Sequence, residues 1–254
     1  DDFIALSQRL KKTPFFLFQA DDFEGLVCIF VEMVIGQNKN LLENGKLNLQ
    51  SSEVKKALQL LVDLVNRYKC SPPEVTSFKE NVSYSYFIEN DGVFLRGWPG
   101  FVSRDNKQKY NNQNLFNDIE KTPAPHFKGF KPVSVYGGWN LMISRYSKKI
   151  PESIKFLDFC VSEEAQKVLY EEGNFLPVNT NLYSDSNFID ANKDILFYKN
   201  LLDRGVHRPF LINYTNISDV LSYYINLAIR KEISVDEALK NAAEKINQES
   251  ILFK

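Results

Sequence analysis

The sequence predicts an α/β protein in which helices are longer and more numerous than strands. Three observations carry that reading. Two short apolar runs, Val93-Phe94-Leu95 and Val133-Ser134-Val135, read as strands that end against glycine-bearing turns. Apolar residues recur at helical spacing over long stretches, most clearly from Val54 to Val65. From Ser103 to Lys131 the chain is polar, rich in Asn and Lys and punctuated by Pro123 and Pro125, as a surface connection is.

The elements follow in order. Residues 3 to 11 have the spacing of a short amphipathic helix, which Thr13-Pro14 ends. Phe15 to Gln19 is an aromatic strand, and Ala20 to Gly25 is a polar turn opening a helix from Leu26 to about Ile35. That helix is apolar nearly all round and is expected to be buried. Glu43-Asn44-Gly45-Lys46 reads as a hairpin turn between Leu42 and Leu47. Ser51 or Ser52 caps the next helix, whose face holds Val54, Ala57, Leu58, Leu61, Leu64 and Val65. Lys79 to Ile88 is a further helix, and Asp91-Gly92 leads it into the first Trp-bearing strand. The second such strand runs from Val133 to about Ile143. Pro151 starts a helix through Phe159, and Ser162 caps another that Gly173 terminates, with Glu163 and Glu164 in its first turn. Ile217 to Ile229 carries Val220, Leu221, Tyr224 and Ala228 on one side. Ser234-Val235-Asp236-Glu237 has capping-box spacing before a last helix with Ala238, Ala242 and Ile246 on its apolar face.

Composition narrows the function. With 254 residues the chain has room for one large domain or two small ones. Lys+Arg 31 against Asp+Glu 32 gives a net charge of −1, so no global field favours nucleic acid or an anionic membrane. The apolar run Gly25 to Val31 lies between Glu24 and Glu32 and is too short to span a bilayer. The chain opens Asp1-Asp2-Phe3 with neither an initiator Met nor a signal peptide, so a trimmed chain or a fragment is expected. Cys28, Cys70 and Cys160 are far apart and lack zinc spacing. Cys28 and Cys160 sit in apolar runs and are expected to act as small core residues.

The motifs of common enzyme chemistries are missing: there is no Gly-x-Ser-x-Gly elbow, His-Glu-x-x-His, phosphate loop or Cys-x-x-Cys. His126 and His207 have no helix-spaced partner, and neither a metal nor a cofactor is expected. Asp21, Asp22 and Glu24 cluster at a strand-to-helix turn. There they complement the helix dipole or accept hydrogen bonds from ligand hydroxyls; a glycosidase would pair one of them with a distant second carboxylate. The two tryptophans lie in Arg96-Gly97-Trp98-Pro99-Gly100 and Tyr136-Gly137-Gly138-Trp139-Asn140. Flat rings at strand ends, beside glycines that admit a ligand to the backbone, suit stacking on sugar rings. The commoner role of such a ring is in a core or rim.

Read in order, the segments resemble the sugar-binding branch, of trehalose and maltose type, of the extracellular solute-binding proteins of ABC transporters (family 1). Gln19-Ala20-Asp21-Asp22-Phe23-Glu24-Gly25-Leu26-Val27-Cys28 is similar to that branch's Q-x-x-x-Y-E-G-L-V-C stretch. Phe94-Leu95-Arg96-Gly97-Trp98-Pro99, Gly137-Gly138-Trp139-Asn140, Ser162-Glu163-Glu164-Ala165-Gln166 and His207-Arg208-Pro209 continue the match. The resemblance covers nearly the whole chain, while the amino-terminal part of the family's first lobe has no counterpart. Gly100 stands where the branch often has an aromatic residue, and Phe101 is the neighbouring ring.

The resemblance implies a periplasmic-binding-protein-like (type II) two-lobed fold, present here as its helix-rich carboxy-terminal portion. Residues 1–130 would build a second-lobe segment, 131–175 a hinge strand and helices returning to the first lobe, and 176–254 a second-lobe helical segment. The implied function is capture of a sugar, a disaccharide in the first instance, and its delivery to an ABC permease. The protein would be extracytoplasmic, monomeric when whole, and without catalytic residues. Trp98 and Trp139 would stack on sugar rings, with Gly137 and Gly138 beside them. Tyr136, Asp22, Glu24 and Arg208 would bond hydroxyls. The alternatives are a carbohydrate hydrolase using Asp22 or Glu24 and a sensory binding module.

Overall fold

A computed structural model describes residues 2–43, 45–110, 116 and 118–252. The chain divides into two compact units. The first comprises Asp1–Gly97, Thr122–Val135 and Val206–Lys254, and the second comprises Trp98–Lys121 and Tyr136–Gly205.

The first unit starts with α1 (Asp2–Leu10), β1 (Phe16–Leu17) and α2 (Glu24–Ile35). A hairpin of β2 (Leu42–Glu43) and β3 (Lys46–Leu47) precedes α3 (Ser52–Asn66), α4 (Glu80–Glu89) and β4 (Phe94–Leu95). Ser51 caps α3 by accepting from the Val54 N–H, which resolves the choice between the two serines. β1 and β4 pair in parallel, Phe16 opposite Phe94 and Leu17 opposite Leu95. Phe3 packs its ring against Phe15, Phe16 and Phe94 at 4.9–5.4 Å, so the amphipathic first helix covers this strand pair.

Helix α2 is the centre of this unit. Leu26, Val27, Phe30, Val31 and Val34 are fully buried, as an all-round apolar helix must be. Against it lie α3 and the helix Tyr214–Ile229, the latter packing in turn on the final helix Val235–Leu252. All six residues of the expected α3 face are buried, and Ser234 caps the last helix through the Glu237 N–H.

The second unit holds α5 (Arg104–Lys109), α6 (Ile150–Cys160), α7 (Glu163–Gly173), α8 (Ser186–Ala191) and α9 (Asp194–Leu202). Its core is Tyr170, Leu182, Tyr183, Phe188, Ile195 and Tyr198. The two helices that follow it in the chain, α10 (Tyr214–Ile229) and α11 (Val235–Leu252), belong to the first unit.

Several expectations are corrected. The second Trp-bearing strand reduces, among the described residues, to a single parallel bridge between Val135 and Val206; residues 136–143 form no strand. A run with strand composition becomes a strand only where a neighbour takes its backbone hydrogen bonds, and here none does beyond Val135. Within the polar connection α5 forms, because Ser103 accepts from the Asn106 N–H as an N-cap. Gly173 is the last residue of α7, and the left-handed position falls to Asn174, at φ 54°. Cys28 is buried as expected, whereas Cys160 is only half-buried, on a helix that buries none of its residues.

Candidate functional site

In the first unit, the turn before α2 and its first residues meet one face of α10. Tyr214, Ser218, Ser222 and Asn226 recur every four residues and therefore stand in one row on that helix. Each is a donor. Tyr214 Oη donates to the Glu24 carboxylate at 2.8 Å, and Ser218 Oγ donates to the same carboxylate. Ser222 Oγ donates to Asp22 at 2.5 Å, and Asn226 Nδ2 donates to the carbonyls of Ala20 and Thr76 at 2.6 and 2.9 Å. The row thus fixes the whole turn from Ala20 to Glu24.

Arg208 joins the same carboxylate: its Nη1 donates to Glu24 Oε1. Glu24 is consequently engaged by a guanidinium, a phenol and a hydroxyl, while the Asp22 residue remains exposed. Burial, then the hydrogen bond to Glu24 and the charge of that carboxylate, push the Tyr214 phenol well above the usual tyrosine range, so it acts as a donor throughout the physiological range. Cys28 lies one turn on from Glu24, and burial pushes its thiol up to about 11. A thiol held neutral in this way is a packing residue rather than a nucleophile.

In the second unit, Trp98 precedes the 3-10 turn Pro99–Val102 and is half-buried. Its ring lies over Gly137. The turn is fixed from α7: Asn174 Nδ2 donates to the Pro99 carbonyl at 2.6 Å and to Tyr198 Oη at 3.3 Å. The Tyr136 hydroxyl donates to the Leu202 carbonyl at 2.6 Å, and its ring covers Gly205. Gly138 has open space where a Cβ would stand, and Trp139 is 88% exposed. Phe101 is taken into packing against Phe116 at 5.6 Å and presents no free ring.

The structure therefore brings Asp22, Glu24 and Arg208 together in one unit, and Trp98, Tyr136 and Gly137 together in the other. His126 and His207 are both exposed. Among the described residues no three His, Cys, Asp or Glu side chains gather as a metal site, and no helix is long and apolar enough to cross a membrane. The reading by apolar faces missed the donor row. Its signal was the four-residue polar period Tyr214, Ser218, Ser222, Asn226, visible in the sequence beneath the apolar pattern of the same helix.

Comparisons with known proteins bear on the fold and the family. Maltose-bound MalE3 of T. maritima superposes with a TM-score of 0.81 at 26% identity, over 96% of this chain and 62% of that one. A solute-binding protein of Thermotoga lettingae bound with alpha-D-tagatose gives 0.79 at 21%, over 95% of this chain and 60% of that one, and shares the fold. A probable ABC transporter-binding protein of Deinococcus radiodurans is 25% identical over 89% of this chain and 54% of its own length. The chain thus spans between about half and two-thirds of these relatives. The fold is that of the type II periplasmic binding proteins, present as a portion. The description "bacterial extracellular solute-binding protein" matches residues 1–167, more than half of the sequence, and the chain belongs to that family.

Proposed function

We propose that the whole protein captures a sugar, in the first instance a disaccharide such as maltose, outside the cytoplasm and hands it to the permease of an ABC importer, without chemistry. The observation that carries this reading is that Trp98, laid over Gly137 in the second unit, supplies a flat apolar ring of the kind that suits the C–H face of a pyranose. In the first unit Arg208, held in place by Glu24, is a donor of the kind that suits sugar hydroxyls. Trp139, with its exposed ring beside the open Gly138, offers a second stacking surface, and Tyr136 and Asp22 offer further hydroxyl partners. Glu24, already engaged by three donors, contributes chiefly by presenting Arg208. The likeness to a maltose-bound relative over 96% of this chain supports the choice of sugar.

The exposed apolar side chains of the second unit belong to the same reading. Met142 is 89% exposed and Phe156 60%, and α6 buries none of its residues. Large apolar side chains exposed in such number are characteristic of a surface that a partner covers. In the whole protein it is covered by the portion that the relatives have and this sequence does not span.

Calorimetric titration of the whole encoded protein with maltose tests the proposal, with Trp98→Ala expected to weaken binding at least tenfold. Unchanged affinity in a folded Trp98→Ala protein removes Trp98 from the site. Release of glucose on incubation with maltose would instead make the protein a hydrolase.

A further inference from the structure

Glu32, on the opposite end of α2 from Glu24, meets two segments of the chain with one side chain and, through the second of them, is linked to a third. Arg96 grips it as a fork, Nη2 to Oε1 at 2.9 Å and Nε to Oε2 at 3.3 Å, and both side chains are about nine-tenths buried (8% and 10% exposed). Oε1 also accepts from the Val135 N–H at 3.1 Å. Val135 in turn bridges Val206 in parallel, and the Val206 N–H donates to the Ser134 carbonyl at 2.9 Å. Burial alone would lower the basicity of Arg96, but the charge and hydrogen bonds of Glu32 outweigh it and raise it above the usual arginine value. The Arg96 backbone is held as well, its N–H donating to the Leu17 carbonyl and its carbonyl accepting from Gln19 Nε2.

The three segments so tied are the ones that lead into candidate ligand residues. Trp98 follows Arg96 by two residues, Tyr136 follows Val135 directly, and Arg208 follows Val206 by two. They are also three of the places where the chain passes between units, at 97/98, 135/136 and 205/206. A structural ion pair of this depth needs only two partners, and a third bond from the backbone N–H of a crossing segment is not required by charge. We propose that Glu32 is a positioning residue: one buried carboxylate sets the register of the segments that present Trp98, Tyr136 and Arg208. This deepens the sugar-binding reading and rests on it for the roles of those three residues.

The test uses hydrogen exchange, read by peptide mass spectrometry, together with maltose calorimetry on the whole encoded protein. Glu32→Ala is expected to speed exchange at least tenfold over residues 94–98, 133–136 and 204–208, with α3 and α11 unchanged, and to weaken maltose binding at least tenfold. Glu32→Gln keeps an acceptor for the Val135 N–H but loses the charge facing Arg96. It is expected to speed exchange over 94–98 while leaving 133–136 near wild type, and it carries the test if the alanine variant does not fold. Unchanged exchange at these segments overturns the proposal. So does a uniform rise across the first unit, which would make the pair a plain core ion pair. A wild-type protein that binds no sugar would end the ligand reading, and the exchange results would still decide whether Glu32 ties the three segments.

Discussion

The six-membered edge of Trp98 rests directly on the backbone of Gly137: a Cβ on that glycine would stand 2.8 Å from Cζ3 and 3.0 Å from Cη2. Glycine permits a close approach there between two parts of the same unit, and a methyl at that position would force the rigid indole plate to rotate away from its seat. Gly137→Ala is therefore expected to swing the ring out of place and to weaken maltose binding at least tenfold, with a shift in tryptophan emission. Gly138→Ala is the control, since nothing stands within 4 Å of a Cβ there and both readouts should stay put. Equal affinity in the two variants would show that the seat of Trp98 does not matter.

The donor row on α10 makes a second prediction. Tyr214→Phe removes a 2.8 Å bond to the Glu24 carboxylate, and Ser218→Ala removes another donor to the same group. Bonds to a charged acceptor are worth more than neutral ones, but this carboxylate is about one-third exposed, so each change should cost about 1 kcal/mol in urea unfolding. Because both act on one carboxylate, the double variant should depart from the sum of the singles by more than about 0.5 kcal/mol. Strict additivity would mean that the two hydroxyls do not share Glu24.

How much of this was legible in sequence depends on what each element leans on. The α3 face from Val54 to Val65 could be read outright, since a single helix buries one stripe and the spacing declares it. The same holds for Ser162 and Ser234, and for a serine cap at 51 or 52 that the structure assigns to Ser51, since capping needs only local backbone. The stretch after Val135 could not, because strand composition is a preference and the ladder partner lies elsewhere in the chain. At the site, Asp22 and Glu24 could be grouped from their adjacent positions, but Arg208 lies 184 residues from Glu24 and nothing local announces their meeting. Glu32 and Arg96 escaped for the same reason, each reading alone as an ordinary charge, and their 64-residue separation hides the pair.

Cys28 gives a pH prediction with a definite sign. Its thiol is pushed up to about 11 by burial, against an ordinary value of 9.0. Between those limits the unfolded chain has lost the proton and the folded one retains it, so the unfolded state binds fewer protons and stability falls as pH rises. The contribution is whole below pH 9 and declines toward pH 11, at up to about 1.4 kcal/mol per pH unit from this group. Wild type and Cys28→Ala should therefore converge in unfolding free energy as pH is raised from 8.5 to 10.5. A constant difference would mean that Cys28 ionises as freely in the folded protein as in the unfolded one.

Asn174 separates conformation from bonding at the turn that carries Trp98. It ends α7 in the left-handed region, at φ 54°, while its amide nitrogen reaches the Pro99 carbonyl at 2.6 Å and Tyr198 Oη at 3.3 Å. Asn174→Gly keeps the backbone shape at no steric cost but gives up both bonds. Asn174→Ala gives up both bonds and adds the left-handed penalty of about 1–2 kcal/mol. Both variants should loosen the Pro99 turn and shift Trp98 emission alike, since both lose the same tether. Only the alanine variant should carry the further loss of stability, measured as a lower unfolding midpoint. If the glycine variant leaves the emission unchanged while the alanine variant shifts it, the backbone shape of Asn174, and not its amide, is what holds Trp98.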